Sequence, residues 1–308
     1  MTLRQILQKA SGKRGITILP AITGALYALY KFKTFNLINM ILLLAALICL
    51  EVGITGLSGY FVRDRYVTPP LNDLTDKYRK KKRGLNKTGI FLLLYFLLTL
   101  ALTIRSGFVV FLLMGLILFQ GALYRGGPIP VVGTYRSEFT TGFGLGLIVP
   151  LTAALIHLTD KTLRIWIFQS TLLLEGNLKH LGMIVIVMLP VVTALTNIIL
   201  TDNIIDMEDD KQTGRFTLPI IMGREKALLL YNLLYIIGAV SVVIAMLTKS
   251  LPYLGVIMLL SYSLVFKNAR TFSGRSHREK GNTLAQENFL VIIFTLIVTI
   301  VLGINFNL

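Results

Sequence analysis

Residues 201–219, TDNIIDMEDDKQTGRFTLP, hold five acids within nine positions: Asp202, Asp206, Glu208, Asp209 and Asp210. They follow a long apolar run, where charge is costly unless something answers it. If the helix continues, Asp202, Asp206 and Asp210 fall at i, i+4 and i+8. Asn203, Asp206 and Asp210 fall at i, i+3 and i+7, on the same face. Carboxylates so placed repel one another, and a hard divalent cation with a preference for oxygen removes the repulsion. Mg²⁺ keeps few protein ligands and shares its shell with substrate phosphates, so acids beside Lys211 and Arg215 suit a diphosphate. The carboxylates of Asp206 and Asp210 are the candidate metal ligands, and the basic side chains would contact phosphate oxygens. A second charged stretch, NDLTDKYRKKKRG at 72–84, offers Asp73 and Asp76 as further metal and catalytic candidates, with Asn72, Lys77 and Arg79 beside them. Arg63 and Arg65 lie just upstream. The plainer reading of both stretches is solvated loop, with Lys80–Lys82 anchoring to anionic lipid.

The elements that position these residues are apolar helices. The 308 residues are 54% hydrophobic and only 15% charged, and runs near the roughly 20 residues needed to cross a bilayer recur. Nine are expected, at about 15–31, 36–61, 89–105, 107–124, 140–158, 181–201, 227–247, 251–267 and 287–306. The segment 163–174, with Trp166, is too short and mixed to cross and reads as interfacial. The chain is therefore expected to be an all-α integral membrane protein, residues 1–308 forming one bundle of about nine transmembrane helices, because helices satisfy their own backbone in lipid.

Net charge is +16, and its distribution sets the orientation. With the N-terminus inside, the cytoplasmic stretches carry 24 of the 31 Lys and Arg residues and the opposite side 7. The N-terminus is accordingly expected in the cytoplasm of a cell-membrane protein, with loops 62–88 and 202–226 on that face. The basic residues fit lipid and orientation; no nucleic-acid module accompanies them. The N-terminal stretch lacks a small-residue cleavage site and is not expected to be a removed signal. Cys49, the single cysteine, lies within a span and reads as a packed apolar position. His157, His180 and His277 lack metal-ligand spacing. Glu51, within the second span, is the intramembrane acid of most interest.

NIIDMEDDKQTGRFTLPIIMGREKA resembles the second aspartate motif of the UbiA superfamily of membrane prenyltransferases, an Asn before a D-x-x-x-D pair, then G-[KR]-x-T-L and a later Gly. Asn203, Asp206, Asp210, Gly214, Arg215, Thr217, Leu218 and Gly223 carry the match. YRGGPIPVVGTYRSE, residues 124–138, resembles the segment of the branch that prenylates 1,4-dihydroxy-2-naphthoate in menaquinone synthesis, through Tyr124, Gly126, Gly127, Pro128, Pro130 and Glu138. Leu19-Pro20 resembles that branch's first helix. The resemblance implies a nine-helix bundle in which Mg²⁺, held by both acidic motifs, binds a polyprenyl diphosphate. An electron-rich aromatic acceptor then takes the prenyl group, with Tyr124 and Glu138 orienting it.

The first aspartate motif of that family, N-D-x-x-D-x-x-x-D, is altered. By spelling it falls on Asn72, Asp73 and Asp76, with Lys80 in place of the last aspartate. By position it falls at the end of the second span, where Glu51 stands for Gln, Thr55 for Asn, Ser58-Gly59 for Asn-Asp and Val62 for Asp. Three functions follow in order of expectation: an Mg²⁺-dependent prenyltransferase, a non-catalytic homologue that binds prenyl lipid or a partner, and an ion-coupled transporter using Glu51.

Overall fold

A computed structural model describes residues 13–66, 74–125, 131–158, 163–168 and 171–274 together with 281–306. The side chains of residues 57–87 lie outside that description. Every expected apolar run falls on helix. The chain runs through α1 (Lys13–Phe32), α2 (Leu37–Tyr66), α3 (Leu74–Ser106) and α4 (Phe108–Arg125). Next comes a continuous rod of α5 (Ser137–Phe143), a π-helical turn (Gly144–Ile148) and α6 (Val149–Leu155). After a short hairpin come α7 (Leu178–Ile205), α8 (Met207–Gln212), α9 (Leu218–Met222), α10 (Arg224–Leu247), α11 (Val256–Ser273) and α12 (Gly281–Asn305). Among the described residues six helical segments are long and apolar enough to cross a membrane, and α4 contributes a shorter apolar one. The architecture is that of a multi-pass helical membrane protein.

Two differences from the sequence reading have physical causes. The expected loop 62–88 is largely helix, because α2 runs on to Tyr66 and α3 begins at Leu74. Lys and Arg are good helix formers, so the basic run continues a helix instead of breaking it. The segment 163–174 is an antiparallel hairpin, β1 (Leu163–Phe168) against β2 (Thr171–Gly176), with Trp166 opposite Leu173. β1 is rich in Ile, Trp and Phe, which are β-branched or aromatic and favour strand pairing.

The bundle packs in two adjoining cores. One joins α2 to α3 and α4, through Leu43, Leu47, Tyr95, Leu102 and Met114. The other wraps α7 with α10, α11 and α12, through Val191, Leu195, Tyr231, Tyr235, Phe272 and Phe289. α1 and α6 lie between them, and α7 is the central element, in contact with α5, α10 and α12. Between helices of equal apolarity, association in lipid depends on close packing and on polar links. Both are present. Asn197 donates to the Tyr231 carbonyl at 3.0 Å, and Asn268 donates to Asn288 at 2.9 Å. At the end remote from the acids, Asn39 donates to the Ile156 carbonyl at 2.8 Å and accepts from Arg105 at 2.6 Å. His157 is buried there; it stacks on Phe35 and accepts from the Asn36 amide at 3.0 Å. α3 and α4 are separated by Gly107 alone, at φ +94°, with its amide bonded to the Thr103 carbonyl at 2.8 Å. That is the left-handed helix end that glycine permits.

Gly24 marks a close helix contact, because a Cβ there would overlap the Pro150 backbone carbonyl of α6. Gly24→Val is expected to cost about 1–3 kcal/mol by overpacking, read as a lower melting temperature in detergent. Gly115→Ala, which meets nothing within 4 Å, should leave it unchanged or slightly raised.

Candidate functional site

The acidic cluster forms where α7 leaves the core. Helical hydrogen bonding carries through Asp202 and Asn203 to Ile205, then bends at Asp206 (φ −84°, ψ 7°) into α8. The bend does not break the repeat. The Asp206 amide bonds to the Asp202 carbonyl at 2.9 Å and the Asp210 amide to the Asp206 carbonyl at 2.8 Å. The three aspartates thus keep the i, i+4, i+8 relation, but their environments differ. Asp202 is half-buried, Asp206 is exposed and Asp210 is buried.

Asp210 is the paired member. Its Oδ1 accepts from Arg215 Nη1 at 2.9 Å, and the Arg215 amide bonds back to the Asp210 carbonyl at 2.9 Å. Gly214, at φ +70°, turns the chain so that both contacts close. Arg215 then lies over Gly133, whose φ of +82° again requires glycine, and a Cβ at Gly133 would stand 3.2 Å from Arg215 Cδ. The Phe216 amide bonds to the Gly133 carbonyl at 3.1 Å, and Thr134 pairs with Phe216 as an isolated parallel bridge. The two motifs read separately in the sequence, residues 131–138 and 203–218, are one piece of structure.

A second link joins them deeper in the protein. Glu138, in the first turn of α5, is fully buried. Its Oε1 accepts from Asn203 Nδ2 at 2.7 Å and its Oε2 accepts from Ser137 Oγ at 3.1 Å. Ser137 also accepts from Asn203 at 3.2 Å. A buried polar group left without its partner costs about 1–3 kcal/mol, enough to fix the Asn203 amide beside the acids. Sequence reasoning missed Ser137, although it stands next to Glu138 in the quoted segment. Lys211 is exposed and stands 3.9 Å from Glu208. Asn72 and Asp73 lie outside the described residues; Asp76 and Lys77 lie on the first turn of α3, with their side chains outside them too.

Beneath this cluster is a cavity of about 240 Å³. Ile199, one turn before Asn203, forms part of its wall, as do Thr140 and Thr141 of α5, one turn after Glu138. Tyr124 and Glu51 also line it. The cavity therefore begins one helical turn inward from the acids.

The donor set can be tested against a metal. Asp202 Oδ1 is buried without a hydrogen-bond partner. The Asp206 carboxyl is held above the usual carboxylate range, chiefly by partial burial, then by Asp210 and Asp209, with Arg215 pulling the other way. Both observations describe oxygens in want of positive charge. Among the described residues no three acid, His or Cys side chains converge to cage an ion. One or two carboxylates completed by water and substrate phosphate is a pattern that fits Mg²⁺ and not a tighter all-protein site.

Removal of Glu138 takes from the half-buried Asn203 amide the shorter of its two bonds and leaves it only Ser137. Glu138→Ala is expected to destabilise by about 1–3 kcal/mol, and Glu138→Gln, which keeps an acceptor oxygen, by less. In a thermal-denaturation double-mutant cycle, Glu138→Ala and Asn203→Ala should be non-additive by about 1 kcal/mol.

No protein-family model matches the chain. A curated relative, the 1,4-dihydroxy-2-naphthoate octaprenyltransferase of Bacillus subtilis (strain 168), is 30% identical over 140 residues, 45% of this chain and 39% of the relative. The match thus spans about two fifths of that relative's length. Solved structures match nearly the whole chain. A digeranylgeranylglyceryl phosphate synthase superposes with a TM-score of 0.66 at 15% identity, over 97% of this chain and 99% of that one. A UbiA homologue from Aeropyrum pernix K1 gives 0.63 at 15%, over 94% and 97%. One from Archaeoglobus fulgidus, bound to GPP and Mg²⁺, gives 0.61 at 17%, over 98% and 99%. By fold this chain is similar to the UbiA homologues, and over 140 residues its sequence is similar to that of the 1,4-dihydroxy-2-naphthoate octaprenyltransferase.

Proposed function

We propose that the chain is a membrane prenyltransferase that moves a polyprenyl group from its diphosphate to an aromatic quinone precursor of the menaquinone type. The observation that carries this reading is the site itself: acids at the end of α7, tied through Asn203 and Glu138 to α5, directly over a cavity in the bundle. Residues 1–308 then form one domain of about nine spans. The excess of Lys and Arg in the stretches flanking the acids supports a cytoplasmic site and N-terminus.

In this reading Asp206 and Asp210, with Asp73 and Asp76 as first-motif candidates, hold Mg²⁺. When bound, the metal supplies the charge that neutralises a leaving diphosphate. Arg215 and Lys211, with Asn72 and Lys77, bear on the phosphate oxygens. Arg215 already spans the gap between Asp210 and the Gly133 loop, so the diphosphate would meet a guanidinium held in place. Asn203, fixed by Glu138 and Ser137, stands beside the acids in the chain. Breaking the allylic C–O bond leaves a carbocation, and the aromatic carbon that attacks it forms the new C–C bond as the ring loses a proton. The apolar wall of the cavity, including Leu47, Leu50, Ile117 and Ile199, keeps water from the cation.

The altered first motif supports a second reading, a homologue that binds a prenyl diphosphate without turning it over. Ser58, Gly59 and Val62 offer no carboxylate where the family places Asn-Asp and Asp. One assay separates the two. Purified protein with labelled polyprenyl diphosphate, Mg²⁺ and aromatic acceptors including 1,4-dihydroxy-2-naphthoate is expected to release diphosphate and prenylated product. EDTA should abolish product, and Asp206→Asn should lower kcat/KM by at least about 100-fold, the upper end of what losing a supporting partner costs a metal site. The melting temperature should be unchanged, since Asp206 is exposed. Full activity in Asp206→Asn would overturn the metal assignment. Binding without product would favour the second reading.

A further inference from the structure

Glu51 is not absorbed by the mechanism above. It lies on α2 within the span Leu37–Gly56 and lines the cavity beneath the acids. Among the described residues that line it, Glu51 is the one carboxylate and none is Lys, Arg or His. Among the described residues it has no ion-pair partner. The rest of the polar lining is neutral: Thr17, Thr55, Gln120, Tyr124, Thr140 and Thr141. An apolar cavity of roughly 150 Å³ is filled by benzene. One of about 240 Å³ has room for one or two fused rings, which makes it the part of the site that an aromatic acceptor would enter.

A carboxylate in a low-dielectric pocket selects what shares the space with it. It accepts a hydrogen bond from a hydroxyl at charge-assisted strength. It also repels a second carboxylate strongly, because no cation among the described lining residues offsets the pair. We propose that Glu51 is the acceptor-selecting residue, and that the cavity takes a hydroxylated aromatic ring without a carboxylate in preference to its carboxylated counterpart. Neutral Gln120, whose side chain packs against Gly144, lines the same cavity. This inference rests on the reading that an aromatic acceptor uses the cavity. It departs from the acceptor that the sequence likeness suggests, since 1,4-dihydroxy-2-naphthoate carries a carboxylate on the ring.

Naphthalene-1,4-diol and 1,4-dihydroxy-2-naphthoate differ only in that group. Their binding to the purified protein, measured anaerobically by equilibrium dialysis, tests the pocket without requiring turnover. The diol is expected to bind about tenfold tighter than the naphthoate, the scale of a like-charge penalty. Glu51→Gln should bring the two within about twofold by relieving the naphthoate. Equal binding of both compounds by the wild type, or tighter binding of the naphthoate, overturns the inference, and so does a preference that survives Glu51→Gln. If Glu51→Gln does not fold, the wild-type comparison decides. Prenylation is followed in parallel with the same two compounds. A diol preference that Glu51 controls, with no product from either compound, upholds this inference and removes the enzyme reading. Product from both at equal kcat/KM does the reverse.

Discussion

Negative charge at the end of a membrane-spanning helix is the constraint on which the rest of this structure turns. α7 carries Asp202, Asp206 and Asp210 out of the apolar core, and each is answered differently. Asp206 reaches water, Asp210 takes a guanidinium, and Asp202 keeps a buried oxygen without a partner. Only the Asp210 arrangement is closed within the protein. It requires the chain to turn back at Gly214 so that Arg215 can reach, and it requires a surface with no Cβ at Gly133 for Arg215 to lie on. The positions of the 131–136 and 213–217 loops follow from that one ion pair.

The same logic explains why α5 starts where it does. Asn203, one residue after Asp202, needs an acceptor at the depth where α7 is still enclosed. Glu138 supplies it, and Ser137 supplies a hydroxyl to Glu138 in turn. A buried polar group left unpaired costs more than a paired one gains, so the three side chains hold one another in register. The π-helical turn at Gly144–Ile148 follows on the same rod, next to the cavity wall at Gly144 and Leu145. Such turns gather at functional positions in helices.

Much of this could be read in the sequence where the signal was periodic or compositional. The apolar runs located the helices, because hydropathy at membrane length has few alternative explanations. The spacing of Asp202, Asp206 and Asp210 placed them on one face, and the i to i+4 amide bonds preserve that relation through the bend at Asp206. What could not be read was contact between segments far apart in the chain. Nothing in TYRSE says that Ser137 and Glu138 meet Asn203. Nothing in TGRFT says that Phe216 pairs with Thr134 or that Arg215 covers Gly133. The hairpin at 163–176 was missed for a different reason: six-residue apolar stretches are too short for periodicity to separate strand from interfacial helix.

The join between α3 and α4 has a consequence for how the chain enters a membrane. One residue, Gly107, separates the two helices, and Tyr95 of α3 donates to the Met114 carbonyl of α4 at 2.6 Å. No stretch of chain remains between them that could be threaded through a bilayer on its own. The pair must therefore be inserted as a single hairpin, with its turn on one side and both open ends on the other. The orientation of α4 is then decided by geometry alone. Whatever direction the cluster of Lys and Arg at the start of α3 favours, α4 shares it, although it carries a single basic residue, Arg125.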